Sequence, residues 1–314
     1  MRQLILARLA AVLPILLAVS LLTFVLTRST STDPVAQILG PGASDQDRAE
    51  YAQKIGLDKP LPQQFVHWLG SAATGDLGRS LYTSLPVTST IVDHVAITLT
   101  LAFWGMAIAV CLGIPIGIWG AVRHGSWADR LVSTLVAMGL AVPSIWTALL
   151  LSLAFAVKLQ WFDVAGYTPF AESPLRWAKG LLLPAVALSL HTAAVLARQM
   201  RSAMVEVLRS SYVHAMRARG LSEGLIVWRY GVRNAMVPVL SVMAIQMSVL
   251  MGAGIAVERI FALPGLGSLL IDSVVRGDFP ILQGAVLVIA TAVLTINLLA
   301  DIGLALINPK VRAS

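Results

Sequence analysis

Charged residues and cysteine are both scarce in this sequence of 314 residues. Asp, Glu, Lys and Arg make up 12% of the chain, whereas they make up about a quarter of a soluble domain. This low fraction places the chain among membrane proteins. The single cysteine, Cys111, lies within an apolar stretch. Neither a disulfide framework nor a multi-cysteine metal site is therefore possible.

A nucleotide-binding loop is also missing from the sequence. There is no G-x-x-x-x-G-K-[ST], the pattern in which backbone N–H groups and a lysine hold nucleotide phosphates. We therefore expect the chain to bind no cofactor itself and to be no enzyme. Its net charge of +7 does not indicate nucleic-acid binding, because the basic residues lie in short segments between apolar runs, as in membrane topology.

Long apolar stretches dominate the sequence. A bilayer-spanning helix needs roughly 20 apolar residues, and six stretches meet or nearly meet this length without any Asp, Glu, Lys or Arg. They are Leu9–Thr27, Ala96–Val122, Leu131–Val157, Leu181–Ala197, Ala235–Val257 and Phe279–Ala300. The first is long for a cleavable signal peptide and lacks a clear cleavage site, so we interpret it as a signal anchor. The sequence predicts an all-α polytopic membrane protein with six transmembrane helices.

The distribution of basic residues predicts the orientation in the membrane. Arginines and lysines near both termini, after the second stretch and between Arg198 and Arg233 fall on one side. The segment Ser29–His94 on the other side holds seven acidic and four basic residues. The positive-inside bias therefore predicts that both termini are cytoplasmic. We divide the chain into residues 1–28, the external loop region 29–94 and a five-helix core 95–314.

The longest predicted cytoplasmic segment, about residues 205–234, has more local structure than topology requires. Val205, Leu208, Tyr212 and Met216 have the spacing of one helix face. Gly220 follows an arginine-rich turn, which is typical of a helix that ends on a left-handed glycine.

A second short helix is predicted directly after this glycine. Ser222 is placed to cap it, Glu223 lies in its first turn, and Leu221 and Ile226 have the spacing of a hydrophobic staple. The arginines alone explain a segment that only orients the chain. The glycine break and the apolar side chains favour a docking element that inserts Leu221, Leu225 and Trp228 into a partner's groove, where each buried side chain contributes roughly 1.5–3 kcal/mol.

The sequence "AMRARGL" at Ala215–Leu221, with a proline eighteen residues after Gly220, resembles the EAA loop of ABC-importer permeases. It is most similar to the B-type permease of the dipeptide/oligopeptide/nickel family. His214 stands where the general pattern has glutamate, Met216 replaces its second alanine, and the longer glycine-to-proline spacing is similar to the peptide branch. Further motifs resemble the same branch: "GLDKPL" at Gly56–Leu61, "GDLGRS" at Gly75–Ser80, "PV" at Pro86–Val87, "VERIFALPGLG" at Val257–Gly267, "RGDFPILQG" at Arg276–Gly284 and "INPKVR" at Ile307–Arg312.

This resemblance implies a type I ABC importer permease in the bacterial plasma (inner) membrane that imports di- or oligopeptides. It implies as partners a paralogous second permease, two ATP-binding subunits or one fused subunit that use ATP and Mg, an extracytoplasmic solute-binding protein and the lipid bilayer. We call residues 205–234 the candidate coupling loop. Within it, the resemblance assigns contact with the ATPase to Ala215, Arg217, Ala218, Gly220, Leu221, Ser222, Glu223, Gly224, Leu225 and Trp228.

Other functions remain as alternatives. Import of nickel or another small solute is one within the family, although His67 and His94 are too isolated to form a nickel site. A self-contained secondary transporter or channel is less compatible with six spans and no visible inverted repeat. An intramembrane enzyme would need a nucleophile–base pair or metal ligands, and His191 has no evident partner in the spans.

Polar and flexible side chains inside the predicted spans are candidates for the translocation path. Met243, Met247 and Met251 recur every four residues with Gln246 beside them. A thioether stripe accommodates varied side chains, and helix packing is an equal alternative. His191 is the ionisable side chain within a span and is a functional candidate for that reason, with a carbonyl-bonded neutral histidine as the alternative.

Small residues and charges define two further predictions. Gly113, Gly117 and Gly120 form a small-residue surface that close helix packing explains. At the external end of the fifth span, candidates for an outer gate or for a contact with the binding protein are Glu258, Arg259, Pro264, Gly265 and Gly267, with an interfacial charge pair and a turn as the alternative. We expect Asp272, Arg276 and Asp278 to belong to the same external surface.

Overall fold

The computed structural model describes residues 2–29, 35, 39, 40, 42–54 and 59–307, with side chains from residue 10 to residue 303 within those ranges except Lys54. The predicted motif residues 56–58 and 308–312 lie outside the described residues, as do the side chains of Arg2 and Arg8. The regular elements of the described part are helices, together with one isolated antiparallel bridge between Arg79 and Pro86.

Twelve α-helices are described, and two of them continue into π-helical segments. They are α1 Arg2–Ser29, α2 Asp45–Lys54, α3 Leu61–Ala73, α4 Val87–Val122, α5 Trp127–Ala141, α6 Ser144–Leu151 with the π segment Ser152–Lys158, α7 Pro174–Leu208, α8 Ser211–Ala218, α9 Glu223–Leu225 with the π segment Ile226–Gly231, α10 Val232–Ile260, α11 Leu266–Arg276 and α12 Phe279–Ile307.

Five helices in the described part are long and apolar enough to cross a membrane, and a bent pair makes a sixth if it is counted as one span. The six-helix prediction is confirmed in this form. The third predicted stretch, Leu131–Val157, is not one continuous helix, because α5 and the helix that begins at Ser144 meet at an angle of 95°. Val142 is extended with φ −89° and ψ 119°. A residue before proline is disfavoured in the helical region, so Pro143 explains the break.

The chain divides into two compact units. One comprises residues 1–6, 98–263 and 295–314, and the other comprises residues 7–97 and 264–294. The second unit therefore contains most of α1, the segment predicted to be external, α11 and the first part of α12. Its core contains Leu77, Val87, Ile91, Leu266 and Ile281.

The first unit is built around α7. Leu196, Met200 and Met204 are fully buried and pack with Ala109 and Val239 in one apolar cluster. Close approach of α4 depends on its glycines: a Cβ added at Gly113 would lie 2.6 Å from the Ala193 carbonyl oxygen, and one at Gly117 would lie 2.6 Å from that of Ala197. The prediction that this glycine surface serves helix packing is confirmed. This packing fixes the helix from which the candidate coupling loop departs.

Candidate functional site

The candidate coupling loop begins with a break in the helix after Leu208. The predicted single helix through Val205, Leu208, Tyr212 and Met216 is wrong, because α7 ends at Leu208 and α8 begins at Ser211. Ser210 is extended, with ψ 152°, and its hydroxyl donates to the Val207 carbonyl at 2.6 Å. Serine side chains compete with the helical backbone in this way.

The break rotates the face that α8 buries. Val213 is fully buried, whereas Tyr212 is 40% exposed and Met216 half-buried. The Tyr212 hydroxyl accepts a hydrogen bond from the Asn234 side-chain amide at 3.3 Å, and the same amide donates to the Tyr230 carbonyl at 2.9 Å. Tyr212 thus connects α8 to the start of α10 instead of continuing an apolar stripe.

Gly220 follows the end of α8 in the conformation that the sequence predicts. Its φ of +79° lies in the left-handed region. The Leu221 N–H donates to the Met216 carbonyl at 3.2 Å, and the Gly220 N–H donates to the Arg217 carbonyl at 2.9 Å. This pair of bonds is the Schellman motif, which satisfies carbonyls at a helix end and favours glycine at the left-handed position.

Ser222 begins the second short helix without capping it through its side chain. Its backbone is extended, with φ −67° and ψ 143°, but its hydroxyl makes no cap hydrogen bond. Its carbonyl accepts from the Ile226 N–H at 3.0 Å. The predicted helix start is confirmed, and the predicted side-chain cap is wrong.

Arg217 and Glu223 form an ion pair across the Gly220 bend. Arg217 Nε donates to Glu223 Oε1 at 2.7 Å, and Arg217 Nη2 donates to Oε2 at 3.1 Å. This hydrogen bonding raises the pKa of Arg217 above its ordinary value. Both side chains are well exposed, at 37% and 64%, so the pair contributes only about 0.2–1 kcal/mol. Its geometric effect is to hold α8 and the second helix in one arrangement.

The second helix has one buried and one exposed face. Ile226 and Val227 are buried, and Val227 belongs to the same apolar cluster as Met204. Leu225 and Trp228 are 40% and 66% exposed. Apart from half-buried Leu221, the residues assigned to ATPase contact are exposed, as a docking surface requires: Ala215, Arg217, Ala218, Gly220, Ser222, Glu223, Gly224, Leu225 and Trp228.

An ion pair that the sequence did not reveal holds α7 near the end from which the loop departs. Asp129 at the start of α5 is 5% exposed and accepts from Arg201 of α7, at 2.5 Å from Nε and 2.8 Å from Nη2. The Gly125 N–H also donates to this carboxylate at 2.9 Å, and His124 Nδ1 lies 3.1 Å from it. The segment after α4 is thereby fastened to α7, seven residues before Leu208.

The candidate path residues lie in different environments. Met251 is 2% exposed, and Met243 packs against the apolar cluster of the first unit. Helix packing within this chain accounts for these two. Met247 is half-buried, and Gln246 is 7% exposed with an Oε1 that has no hydrogen-bond partner among the described residues.

His191 is half-buried in α7. A path role for these residues stays a prediction.

Glu258 and Arg259 are oriented differently at the end of α10. Glu258 is fully buried and accepts a hydrogen bond from the Thr98 hydroxyl at 2.7 Å, whereas Arg259 is exposed. The Glu258 carbonyl also accepts from the Leu263 N–H at 2.9 Å and so closes the helix end. Of these two, only Arg259 is exposed, so a gate or partner contact at this position stays a prediction for Arg259 alone.

The remaining candidates of this group lie in the second unit. Pro264 is exposed, whereas Gly265 and Gly267 are buried at the start of α11. Asp278 is also buried, at 4% exposure, and its carboxylate accepts from the Ser80 hydroxyl and from the Leu81 N–H, the latter at 3.1 Å. The predicted external surface residue Asp278 thus anchors the "GDLGRS" segment, a role that no local pattern indicated.

Comparison with solved structures identifies the class to which this fold belongs. The chain is similar to a chain of the MetNI methionine ABC transporter in inward-facing conformations, with a TM-score of 0.59 over 70% of this chain and 96% of that chain at 18% identity. A chain of an amino acid ABC transporter matches with a TM-score of 0.52 at 16% identity, over 71% of this chain and 94% of that one. The fold is therefore one that occurs in ABC transporters.

Sequence comparison gives the family. Residues 113–313 match the family described as binding-protein-dependent transport system inner membrane component, and residues 1–102 match its N-terminal counterpart. The chain belongs to this family of multi-pass inner-membrane transport components. A putative peptide transport system permease protein of Brucella abortus is 40% identical over 312 residues, 99% of each chain. The glutathione transport system permease protein GsiC of Salmonella typhimurium is 39% identical over 308 residues, 98% of each.

Proposed function

We propose that this chain is one of two membrane-spanning subunits of an ATP-driven importer of peptides. The observation that carries the proposal is the exposed pair Leu225 and Trp228, on a short helix oriented by Gly220 and held by the Arg217–Glu223 pair. A loop that only oriented the chain would need its arginines but not this fixed apolar surface. The names of the relatives support peptides as the substrate class.

ATP enters this proposal through separate subunits. Two ATP-binding subunits, or one fused subunit, hydrolyse ATP with Mg and hold the short helix of each permease in a groove. Their closure rotates the two permease halves and switches the access of a shared cavity, as in alternating-access transporters. An extracytoplasmic binding protein delivers the peptide. Both termini and the candidate coupling loop are cytoplasmic in this arrangement, as the basic residues predict.

Co-purification tests the docking surface directly. We expect the affinity-tagged chain, extracted in mild detergent, to retain a second permease and an ATP-binding subunit identified by mass spectrometry. Leu225→Asp and Trp228→Ala should each reduce the retained ATP-binding subunit by roughly tenfold or more, since removing a buried interface anchor costs about 2 kcal/mol or more.

The matched control for this experiment is Trp127→Ala. Trp127 is 72% exposed at the start of α5, on the side predicted to be cytoplasmic but outside the loop. Its substitution should leave the complex intact. Retention of the ATP-binding subunit by both loop variants would show that the loop is not its docking surface.

A further inference from the structure

A cavity of about 550 Å³ lies within the unit formed by residues 7–97 and 264–294. Its walls come from the segment predicted to be external and from the ends of α1 and α12 in the same unit. Cavities that bind small molecules in proteins range from about 300 to 1,000 Å³. The size therefore suits a peptide of a few residues, and the docking surface described above does not involve this cavity.

The charged side chains that line the cavity are mostly basic. Among the described lining residues, Arg28, Lys59 and Arg79 oppose the single carboxylate of Asp76, which leaves an excess of two positive charges when His67 is neutral. Asp76 is partly satisfied within the chain, because its Oδ1 accepts from the Gly78 N–H at 2.9 Å. The lining therefore favours an anionic ligand group over a cationic one.

The two arginines retain donors for such a group. Arg79 Nη1 donates to the Ser84 carbonyl at 3.1 Å, which uses one of the five N–H donors of a guanidinium. The guanidinium of Arg28 lies 5.4 Å from the centre of the Phe24 ring, a contact that orients it without using a donor. Planar guanidinium groups with free donors bind carboxylates through paired, charge-assisted hydrogen bonds.

Aromatic residues form an apolar wall beside these cations. Phe24 and Trp68 line the cavity, and the Phe65 ring contacts both of them. It meets Phe24 edge-on, with 5.4 Å between the ring centroids, and stacks on Trp68, with 6.3 Å between the centroids. The buried indole Nε1 of Trp68 has no acceptor among the described residues. A buried donor without an acceptor is unfavourable, and a carboxylate oxygen that reaches it supplies one.

We propose that this cavity is a binding site for the carboxylate of a short peptide, held by Arg28 and Arg79 with the apolar part of the peptide against Trp68. The site would retain a peptide at the external entrance, before translocation. The choice of a peptide rests on the proposed function, whereas the requirement for a carboxylate rests on the cavity itself. A lipid phosphate is the other oxyanion available at a membrane surface, and the experiment separates the two.

The test measures binding without ATP and without transport. The purified full-length chain in phosphatidylcholine nanodiscs is titrated by calorimetry with tri-alanine and with tri-alanine amide, which lacks the carboxylate. We expect tri-alanine to bind. The amide should bind with an affinity at least roughly tenfold lower, because it loses a charge-assisted hydrogen bond. Arg28→Gln should weaken tri-alanine binding by a similar factor, and Arg28→Lys should restore part of it.

Two matched controls distinguish the site from general effects. Arg176→Gln changes an exposed arginine at the start of α7, outside the cavity, and should leave the affinity unchanged. Trp68→Phe removes the indole N–H but keeps an aromatic ring, so it should weaken tri-alanine binding without lowering the thermal stability of the empty chain. Trp161→Phe, at a 59% exposed tryptophan outside the cavity, should change neither.

Three results would overturn the proposal: no binding of tri-alanine, equal affinity for the amide, or unchanged affinity in Arg28→Gln. A lipid phosphate would be the ligand if tri-alanine does not bind and phosphatidylglycerol nanodiscs stabilise the wild type but not Arg28→Gln. The cavity would then be a lipid-headgroup site, and the proposal would be overturned. If tri-alanine does not bind, the proposed function can still be correct, because ATP-driven uptake is a separate measurement. Loss of ATP dependence with intact tri-alanine binding would instead refute the proposed function.

Discussion

At the scale of single residues, Gly220 sets the direction of the docking helix, which is α9 with its π segment Ile226–Gly231, relative to α8. Its φ of +79° is accessible to glycine without strain. A Cβ at this position would meet no atom within 4 Å. The penalty for another residue is therefore conformational, about 1–2 kcal/mol, and not a clash with a neighbour.

This conformational penalty predicts the behaviour of Gly220→Val and Gly220→Ala. The folded chain and its complex should persist, but the bent form should be roughly five- to thirty-fold less favoured. ATP hydrolysis should then be uncoupled from uptake, which is measured as peptide transported per ATP hydrolysed in proteoliposomes. Gly70→Ala is the matched control, since Gly70 also has open space around it but no positive φ, and it lies in α3, outside the loop. An unchanged transport ratio in Gly220→Val would contradict the role given to the bend.

The ion pair between Arg217 and Glu223 gives a second prediction at this scale. Arg217→Gln and Glu223→Gln should each weaken retention of the ATP-binding subunit, and the double variant should weaken it less than the sum of the two. The coupling free energy should be about 0.2–1 kcal/mol and should fall in high salt, because the pair is exposed. Arg219→Gln serves as the control, since Arg219 is exposed beside the pair and makes no ion pair in the described structure. Additive single effects would show that the pair does not position the helix.

The residue scale also shows the reach of local sequence patterns. The left-handed glycine was predictable because a helix end is decided within a few residues. The Arg217–Glu223 pair was not, since its two side chains lie six residues apart across a bend, where no helical spacing rule applies. Asp278 and Ser80 are almost two hundred residues apart in sequence, so only the folded chain brings them together.

At the scale of elements, α4 and α7 depend on the small-residue surface between them. Gly117 lies so close to α7 that an added Cβ would be 2.6 Å from a backbone oxygen and 2.8 Å from Met200 Cβ. Backbone atoms move less easily than side chains. The helices would have to separate to admit even a methyl group.

Gly117→Ala should therefore lower the free energy of unfolding by about 1–3 kcal/mol, the usual penalty for overpacking. Thermal unfolding of the purified chain in detergent measures it. Gly252→Ala in α10 is the control, because a Cβ there would meet nothing within 4 Å, and a helical alanine in open space should be neutral or slightly stabilising. Equal stability of the two variants would show that the contact between α4 and α7 relaxes freely.

The element scale also explains where pattern reading failed. Apolar periodicity continued from Val205 to Met216 and predicted one helix, but Ser210 ended it. Hydropathy treated residues 131–157 as one span, but Pro143 divides it. In both cases a single residue with its own backbone preference outweighed the periodic signal around it.

At the scale of the whole molecule, the proposed function requires energy from outside this chain. In proteoliposomes that contain this chain, its paralogous permease and the ATP-binding subunits, uptake of tri-alanine should require ATP and the external binding protein. Uptake should stop on removal of Mg, since ATP hydrolysis by the partner subunits depends on it. The control is the same preparation with a non-hydrolysable ATP analogue. Uptake by this chain alone, without ATP, would identify a self-contained carrier and reject the proposal.

The sequence by itself determined the membrane class, the six spans and the left-handed glycine, and it indicated the family. Each of these depends on composition or on residues close together in the chain, which local physical preferences decide. Only the tertiary structure decided which side of the docking helix is exposed, that Glu258 is buried against Thr98, and that Arg28, Arg79 and Trp68 line one cavity. These features join distant segments, and their positions follow from helix packing, which no single stretch of sequence contains.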